Sequence, residues 1–569
     1  MSTSLTTGTD LDPYGDRMTT PAGPRTTATV PTDRTDADHD DADADADVPA
    51  YSRRQRQLVL TAMCVSLVLV VASVSMLNVA LPTLATALGA SQSAQQWIAD
   101  GYAIALAALL LPFGALGDRY GRKGALVAGI TIFGGAAAAS VFVTSTGPLI
   151  ALRILAGVGA ALIMPGTLST ITSVFPAQER AKAVGVWAGF AGAGGVLGMI
   201  ASGFLLEHFF WGSIFVVNAV VATIALAATL YAVPNSKESA HVSIDLVGSV
   251  LSVAAIGSFV FSIIEGPHRG WSDALTVAGL MIGVAAGISW VAWSLRTESP
   301  LLDPRLFRLR GFATGSAALF LQFFAMFGLF FVALQFLQLM LNYGTFKASL
   351  AVLPVAAVML PLSTVAATLA ERWGQRVVGT IGLSITAVGF VTMAAMSTGS
   401  GYTHFVIAMM IVGVGMALAM TPSTNAIVGS LPRAKQGVAS AVNDTSRELG
   451  AAFGIAVLGS AFNSGYHTKI DSVVSTLPAQ IGSVVRESPA AGIVTARKMG
   501  DAGSALLGQA REGFIVGMRW ALLVGAAMLV IGAAFTWLRA PRHVSAADLG
   551  AEPTTDELEM ELELEGVAV

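Results

Sequence analysis

Fourteen apolar stretches recur between residues 58 and 538, each near the ~20 residues that a helix needs to cross a bilayer. In hydrocarbon every backbone N–H and C=O must be satisfied within the chain, so a run of this kind predicts membrane-spanning α-helices. Charged residues make up 12% of the sequence, against about 25% in soluble domains. Sixty glycines without a collagen-like period point to helices packed closely against one another. An even number of spans brings both ends of the chain to one side. The six short loops on that side hold fourteen Lys or Arg, and the six short loops opposite hold two, Arg269 and Lys347. Both termini are therefore expected in the cytoplasm.

Residues 1–57 are rich in Thr, Asp, Ala and Pro and include DHDDADADADV, a composition that predicts a disordered cytoplasmic tail. Residues 539–569 form a second, acidic tail ending in DELEMELELEG. From the polar start of the chain no cleavable signal sequence is expected. The net charge of −4 has its acidic part in these tails, which argues against nucleic acid as a partner. A single cysteine, Cys64, excludes an intramolecular disulfide and a cysteine-based metal cluster. Neither GxxxxGK[ST] nor HExxH occurs and the histidines are scattered, so no enzyme, ATP-driven pump, metal or cofactor is expected.

The chain repeats itself. GALGDRYGRK at 114–123 matches ATLAERWGQR at 367–376, each in a short loop between two spans. The expected organisation is a six-helix bundle at 58–233 and two inserted helices with a cytoplasmic linker at 234–310. A second six-helix bundle at 311–538 follows, with a long external loop at 463–513. Parallel repeats with a site between halves are a transporter architecture.

These residues resemble the major facilitator superfamily, and within it the fourteen-helix drug:proton antiporter family of QacA-like and EmrB-like exporters. The resemblance spans about residues 58–540. Its most specific element is Gly114, Asp118, Arg119, Gly121, Arg122 and Lys123; NVALP (78–82), QWIADGY (96–102), FVVN (215–218), LLDPRLF (301–307) and SRELGAAFGIAVLGS (446–460) also match. It implies the major facilitator fold, all-α, and a gating loop that Glu371 and Arg372 echo in the second half. Physically, Asp118 can face Arg119, Arg122 or the positive N-terminus of a neighbouring helix; the plainer reading makes the basic residues topology determinants. The fifth span carries Gly189, Gly194, Gly195 and Gly198, where the family's antiporter signature has Gly-Pro and this chain has Gly194-Gly195. Tight packing alone also accounts for those glycines.

Asp444, Arg447 and Glu448 interrupt an otherwise apolar span, and a charge at mid-bilayer costs about 2.5–3.5 kcal/mol even on the lenient insertion scale. Asp444 and Glu448 share a helix face, with Arg447 beside them. Two close carboxylates disfavour joint ionisation, so the pair can carry a proton for which a cationic drug competes. The alternative is a structural triad. QacA-like relatives have acids at the positions of Asp444, Glu448 and Asp100. Asp100 lies near the outer end of the second span, where it either caps that helix or loads protons, with Tyr102 close by as a hydrogen-bonding group. Relatives often have an aspartate where this chain has Ser73, so coupling is expected to run through Asp100, Glu448 and Asp444. Arg153, matching a family arginine, either tunes an acid or fills a hydrogen-bonding role.

Further cavity candidates are Asn78, Phe327, Phe331, Gln335, Gln338 and Glu265. Glu207 and Glu265 are expected near outer helix ends in contact with solvent. The ninth span, FLQFFAMFGLFFVALQFLQ, presents phenylalanines that face either lipid or a greasy ligand. The resemblance implies a monomeric, proton-coupled antiporter that exports hydrophobic drugs, cationic ones among them, across a bacterial cytoplasmic membrane by alternating access. An importer of a specific small metabolite is the alternative.

Overall fold

The computed structural model describes residues 51–541 except 91, 235–244, 298, 432–434, 476 and 488. Most of each predicted tail lies outside the described residues. Residues 53–57, assigned to the first tail, belong to a helix, as does Arg539.

The described residues form helices and no strand. Fourteen long helices run α1 (Arg53–Leu88), α2 (Gln92–Tyr120), α3 (Arg122–Ser140), α4 (Thr146–Val174), α5 (Ala177–His208), α6 (Ser213–Ala232) and α7 (Leu246–Arg269). They continue as α8 (Ala274–Ser294), α9 (Arg310–Gln335), α10 (Leu353–Trp373), α11 (Gln375–Ala394), α12 (Tyr402–Gly429), α13 (Gln436–Val474) and α14 (Ser504–Arg539). Among the described residues, thirteen helical spans are long and apolar enough to cross a membrane. The helix outside that set is α13, whose apolar run is broken by Asp444, Arg447 and Glu448.

Within the first half α1 packs on α5, α2 on α4, and α3 on α4 and α6; within the second, α9 packs on α13, α10 on α12, and α11 on α12 and α14. The halves meet where α5 lies along α10 and α12, and where α2 and α4 lie along α13. The repeat has a backbone reason. α2 and α10 both end on a glycine in the left-handed region, Gly121 (φ 110°) and Gly374 (φ 82°), where a side chain would be strained. Eight residues on, the pattern continues in packing. A Cβ on Gly129 would lie 2.8 Å from the Gly159 carbonyl oxygen, and one on Gly382 would lie 2.7 Å from that of Gly415. The α3–α4 and α11–α12 crossings thus both depend on facing glycines.

Of the inserted pair, α7 touches both α2 and α13, whereas α8 packs chiefly on α7. Asp245 fastens this pair. Its carboxylate caps α7 by accepting from Gly248 N–H (2.7 Å), and it also accepts from the Trp293 indole of α8 (2.9 Å) and from Leu301 N–H (3.1 Å) at the start of LLDPRLF. Asp245→Ala leaves these donors without that acceptor, at about 1–3 kcal/mol for a buried one. Thermal unfolding of the purified variant is expected at a clearly lower midpoint; an unchanged midpoint would remove this fastening role.

The stretch 463–513, expected as a loop, is mostly helical. α13 runs on to Val474, short helices cover Ala479–Glu487 and Pro489–Lys498, and α14 starts at Ser504. At 39 residues α13 is about 58 Å long, roughly twice the hydrocarbon thickness. Its extension is held by an apolar stripe of Phe462, Tyr466 and Ile470, all buried, with Tyr466 Oη donating to the Val485 carbonyl (2.8 Å). Polar residues between these positions give the segment its loop-like composition. Arg497 and Arg511 bind the carbonyls of Leu339 (2.7 Å) and Met340 (3.2 Å), closing the π-helical turn Phe336–Met340 that continues α9.

Candidate functional site

Two arrangements join the halves. The first is at the end of the bundle where α1 begins. The last turn of α2 aims Asp118 at the first turn of α13, and its Oδ2 accepts from Gly437 N–H at 2.7 Å. Its Oδ1 accepts from Arg122 Nε (3.1 Å) and pairs with Arg122 Nη2 (3.1 Å). A carboxylate therefore sits on the positive end of a helix from the opposite half, with a charge-assisted partner behind it. Gly114, one turn earlier, makes the approach feasible: a Cβ there would lie 2.6 Å from the Gly437 carbonyl oxygen. Lys123 donates to the Leu230 carbonyl at the end of α6 (2.9 Å), and exposed Arg119 lies over the Tyr120 ring (5.5 Å). In the second loop Glu371 and Arg372 are exposed, so the two copies of the motif are used unequally.

The second arrangement lies deeper. Arg447 and Asp444, one turn apart on α13, form an ion pair at 3.1 Å with side chains 2% and 0% exposed. Asn443 also donates to Asp444 Oδ1 (3.2 Å). The Arg447 guanidinium lies 4.6 Å from the Phe323 ring of α9 and 5.3 Å from the Trp187 ring of α5. Half-buried Glu448 is within electrostatic range of Arg447 and Asp444. It also comes within range of Tyr102 of α2. Tyr102 in turn lies under Arg153 of α4, whose guanidinium carbon is 4.3 Å from the ring centre. Arg153 donates to the Ile98 carbonyl (3.2 Å) and to Ser73 Oγ of α1 (3.4 Å), beside a small cavity that Asn218 also lines. Charged and aromatic groups from both halves thus form one chain, Arg153–Tyr102–Glu448–Arg447–Asp444. Ser73, the residue standing where an acid was missed, serves as an acceptor for Arg153.

Asp100 stands apart. It is half-buried and within electrostatic range of Glu265 on α7. The register explains this: Gly257 faces Ala108 where α2 and α7 run antiparallel, and eight residues along each helix lead to Glu265 and Asp100. Glu265, expected in solvent, is instead 2% exposed and ion-paired with Arg269, because α7, which carries it, packs against α2. Tyr102 does not turn toward Asp100; its hydroxyl donates to the Val70 carbonyl (3.4 Å).

The glycines of α5 serve two neighbours. Gly198 and Gly194 press on Ala72 and Val71 of α1, Gly195 on Ser75, and Gly189 on Ser363 of α10. On α9 the lipid-facing alternative fails for Phe323 and Phe324, which are buried between helices. Phe327 stacks on Phe323, while Phe331 is 40% exposed and meets Phe462 edge-on. Gln335 donates to the Phe331 carbonyl (3.1 Å), and Asn78 and Gln338 are exposed. Sequence reasoning missed Trp187, Asn443 and Gln322, and took Asn218 only as part of FVVN. Gln322, 0% exposed with neither amide atom partnered among the described residues, was signalled only as a lone polar residue in FLQFF.

The major facilitator superfamily pattern matches residues 63–455. Multidrug efflux pump LfrA of Mycolicibacterium smegmatis is 34% identical over 467 residues, covering 81% of this chain and 92% of the relative. Methyl viologen resistance protein SmvA of Salmonella typhimurium is 32% identical over 470 residues, covering 81% and 94%. Among solved structures, the proton:xylose symporter XylE bound to 6-bromo-6-deoxy-D-glucose aligns with a TM-score of 0.55 at 16% identity, over 88% of this chain and 99% of that one. That likeness is one of fold. With its repeated halves and a sequence match over most of its helices, the chain belongs to the major facilitator superfamily.

Proposed function

We propose that this protein is a drug:proton antiporter, which exports hydrophobic compounds, lipophilic cations among them, across a bacterial cytoplasmic membrane as a monomer. The observation that carries the reading is the buried pair Asp444–Arg447, with half-buried Glu448 beside it, at the junction of both halves. Buried ionisable groups inside a membrane are costly and are retained for function. The names of LfrA and SmvA, a multidrug efflux pump and a methyl viologen resistance protein, support the substrate class.

In this mechanism two acids face one arginine, which leaves one carboxylate to hold either a proton or a cationic drug. Loading a proton from outside displaces the drug there, and binding a drug from the cytoplasm displaces the proton. The halves rock about this site, and the Asp118–Gly437 contact holds the cytoplasmic end shut in the form described. Asp100 with Glu265 supplies an outer acid that attracts cations. Both termini lie in the cytoplasm, and the proton gradient replaces any cofactor. Exchange of one proton for one monovalent cation moves no net charge; each further proton adds about 2.3 kcal/mol per 100 mV.

Everted vesicles carrying the protein are expected to accumulate dyes when a pH gradient is imposed and to lose them when it collapses. Accumulation that persists without the gradient would defeat the antiport reading.

A further inference from the structure

Arg447 is itself a planar organic cation, and its surroundings are those a cationic drug would select. A carboxylate lies at 3.1 Å, with an indole at 5.3 Å and a phenyl ring at 4.6 Å. The ring of Trp187 belongs to the first half and that of Phe323 to the second, so the box closes across the junction. Yet the arginine is loosely fastened for a buried one. Its hydrogen bond to Asp444 runs through Nη1, and its Nε has no partner among the described residues. Asp444 Oδ2 and Asn443 Oδ1 likewise have no donor among the described residues, although both residues are 0% exposed. A structural arginine–carboxylate pair would favour two parallel bonds. Here polar capacity is left over on both partners.

We infer that Arg447 is a tethered competitor for cationic cargo: an organic cation enters the Trp187–Phe323–Asp444 box by displacing the guanidinium, which swings about its own side-chain bonds. Two consequences follow for specificity. A ligand must outbind a guanidinium already in place, so small cations with little aromatic surface are rejected. The apparent dissociation constant is raised in inverse proportion to the fraction of time the box stands free of the arginine. The charge count also sets valence: with Asp444 and Glu448 ionised, Arg447 leaves one negative charge and so one place for a positive charge. Arg447 is a specificity-determining residue on these grounds.

The test compares ethidium, a monocation, with propidium, a dication on the same ring system, binding to purified full-length protein in lipid nanodiscs. Arg447→Gln is expected to tighten ethidium binding several-fold by removing the competitor. Propidium should gain about tenfold more than ethidium because a second negative charge is uncovered. Arg447→Lys keeps the charge but cannot stack on two rings, so both dyes should tighten several-fold with their ratio unchanged. The lysine variant carries the test where the glutamine variant does not fold. Weaker or unchanged binding of both dyes in the lysine variant, or an unshifted ratio in a folded glutamine variant, overturns the inference. The inference rests on the drug-export reading, and the two fail differently. Dye binding that ignores Arg447 ends the inference alone, whereas unmodified protein that binds neither dye ends it together with the cationic part of that reading.

Discussion

Glu448→Gln is expected to insert and fold normally while losing coupling between the pH gradient and efflux. A proton crossing in exchange for cargo contributes about 1.36 kcal/mol per pH unit, or a tenfold concentration ratio. In everted vesicles the unmodified protein should therefore build roughly tenfold dye accumulation per pH unit, and the variant should fall toward equality across the membrane. Glutamine retains the size and hydrogen bonding of the side chain but cannot exchange a proton near neutrality. Because Glu448 is half-buried and forms no ion pair among the described residues, its neutralisation removes function with little loss of packing. Asp444 provides the contrast. Asp444→Asn strands the buried Arg447 without its counter-charge, a loss of about 3–5 kcal/mol. That variant should unfold at a lower temperature as well as fail in transport. Gradient-driven accumulation in Glu448→Gln equal to that of the unmodified protein would remove Glu448 from the coupling path.

The second large effect concerns the clasp between the halves. Asp118→Asn removes the ion pair with Arg122 and weakens the bond from Gly437 N–H. Losing a charge-assisted hydrogen bond of this kind costs about 1.5–3 kcal/mol. That is about a 10- to 150-fold change in the balance between closed and open forms at this end. Spin labels on Tyr120→Cys and Lys435→Cys, in a background where Cys64 is replaced by serine, would report the separation of α2 from the start of α13. Both positions are exposed. The expected result is a new, longer distance in Asp118→Asn together with reduced efflux. An unaltered distance distribution would show that the contact does not hold the end shut.

How far the residues announced this arrangement differs from one element to the next. The repeat GALGDRYGRK/ATLAERWGQR was readable because a left-handed glycine after a helix is required at Gly121 and Gly374 alike. Its continuation through Gly129–Gly159 and Gly382–Gly415 was equally present in the letters, but only the crossing of the helices shows what those glycines face. The segment 463–513 was misread because the apolar residues that anchor its first part, Phe462, Tyr466 and Ile470, recur only at every fourth position among polar ones, a stripe that is enough to hold a helix in place. Glu265 was misplaced because the position of α7 against α2 is a matter of docking, not of local composition.

The sequence by itself determined that this is a helical membrane protein built from two related halves, since length, hydropathy and loop charge depend on what hydrocarbon and water each accept. It also singled out Asp118 through the repeated loop motif, and Asp444, Arg447 and Glu448 because a charge among apolar residues is conspicuous in a one-dimensional string. Only the tertiary structure decided what each charge meets: Asp118 the amide of Gly437 across the junction, and Arg447 the rings of Trp187 and Phe323. Such partners are separated by hundreds of residues or lie on other helices. The free energy that brings them together comes from packing between helices, which no local pattern encodes.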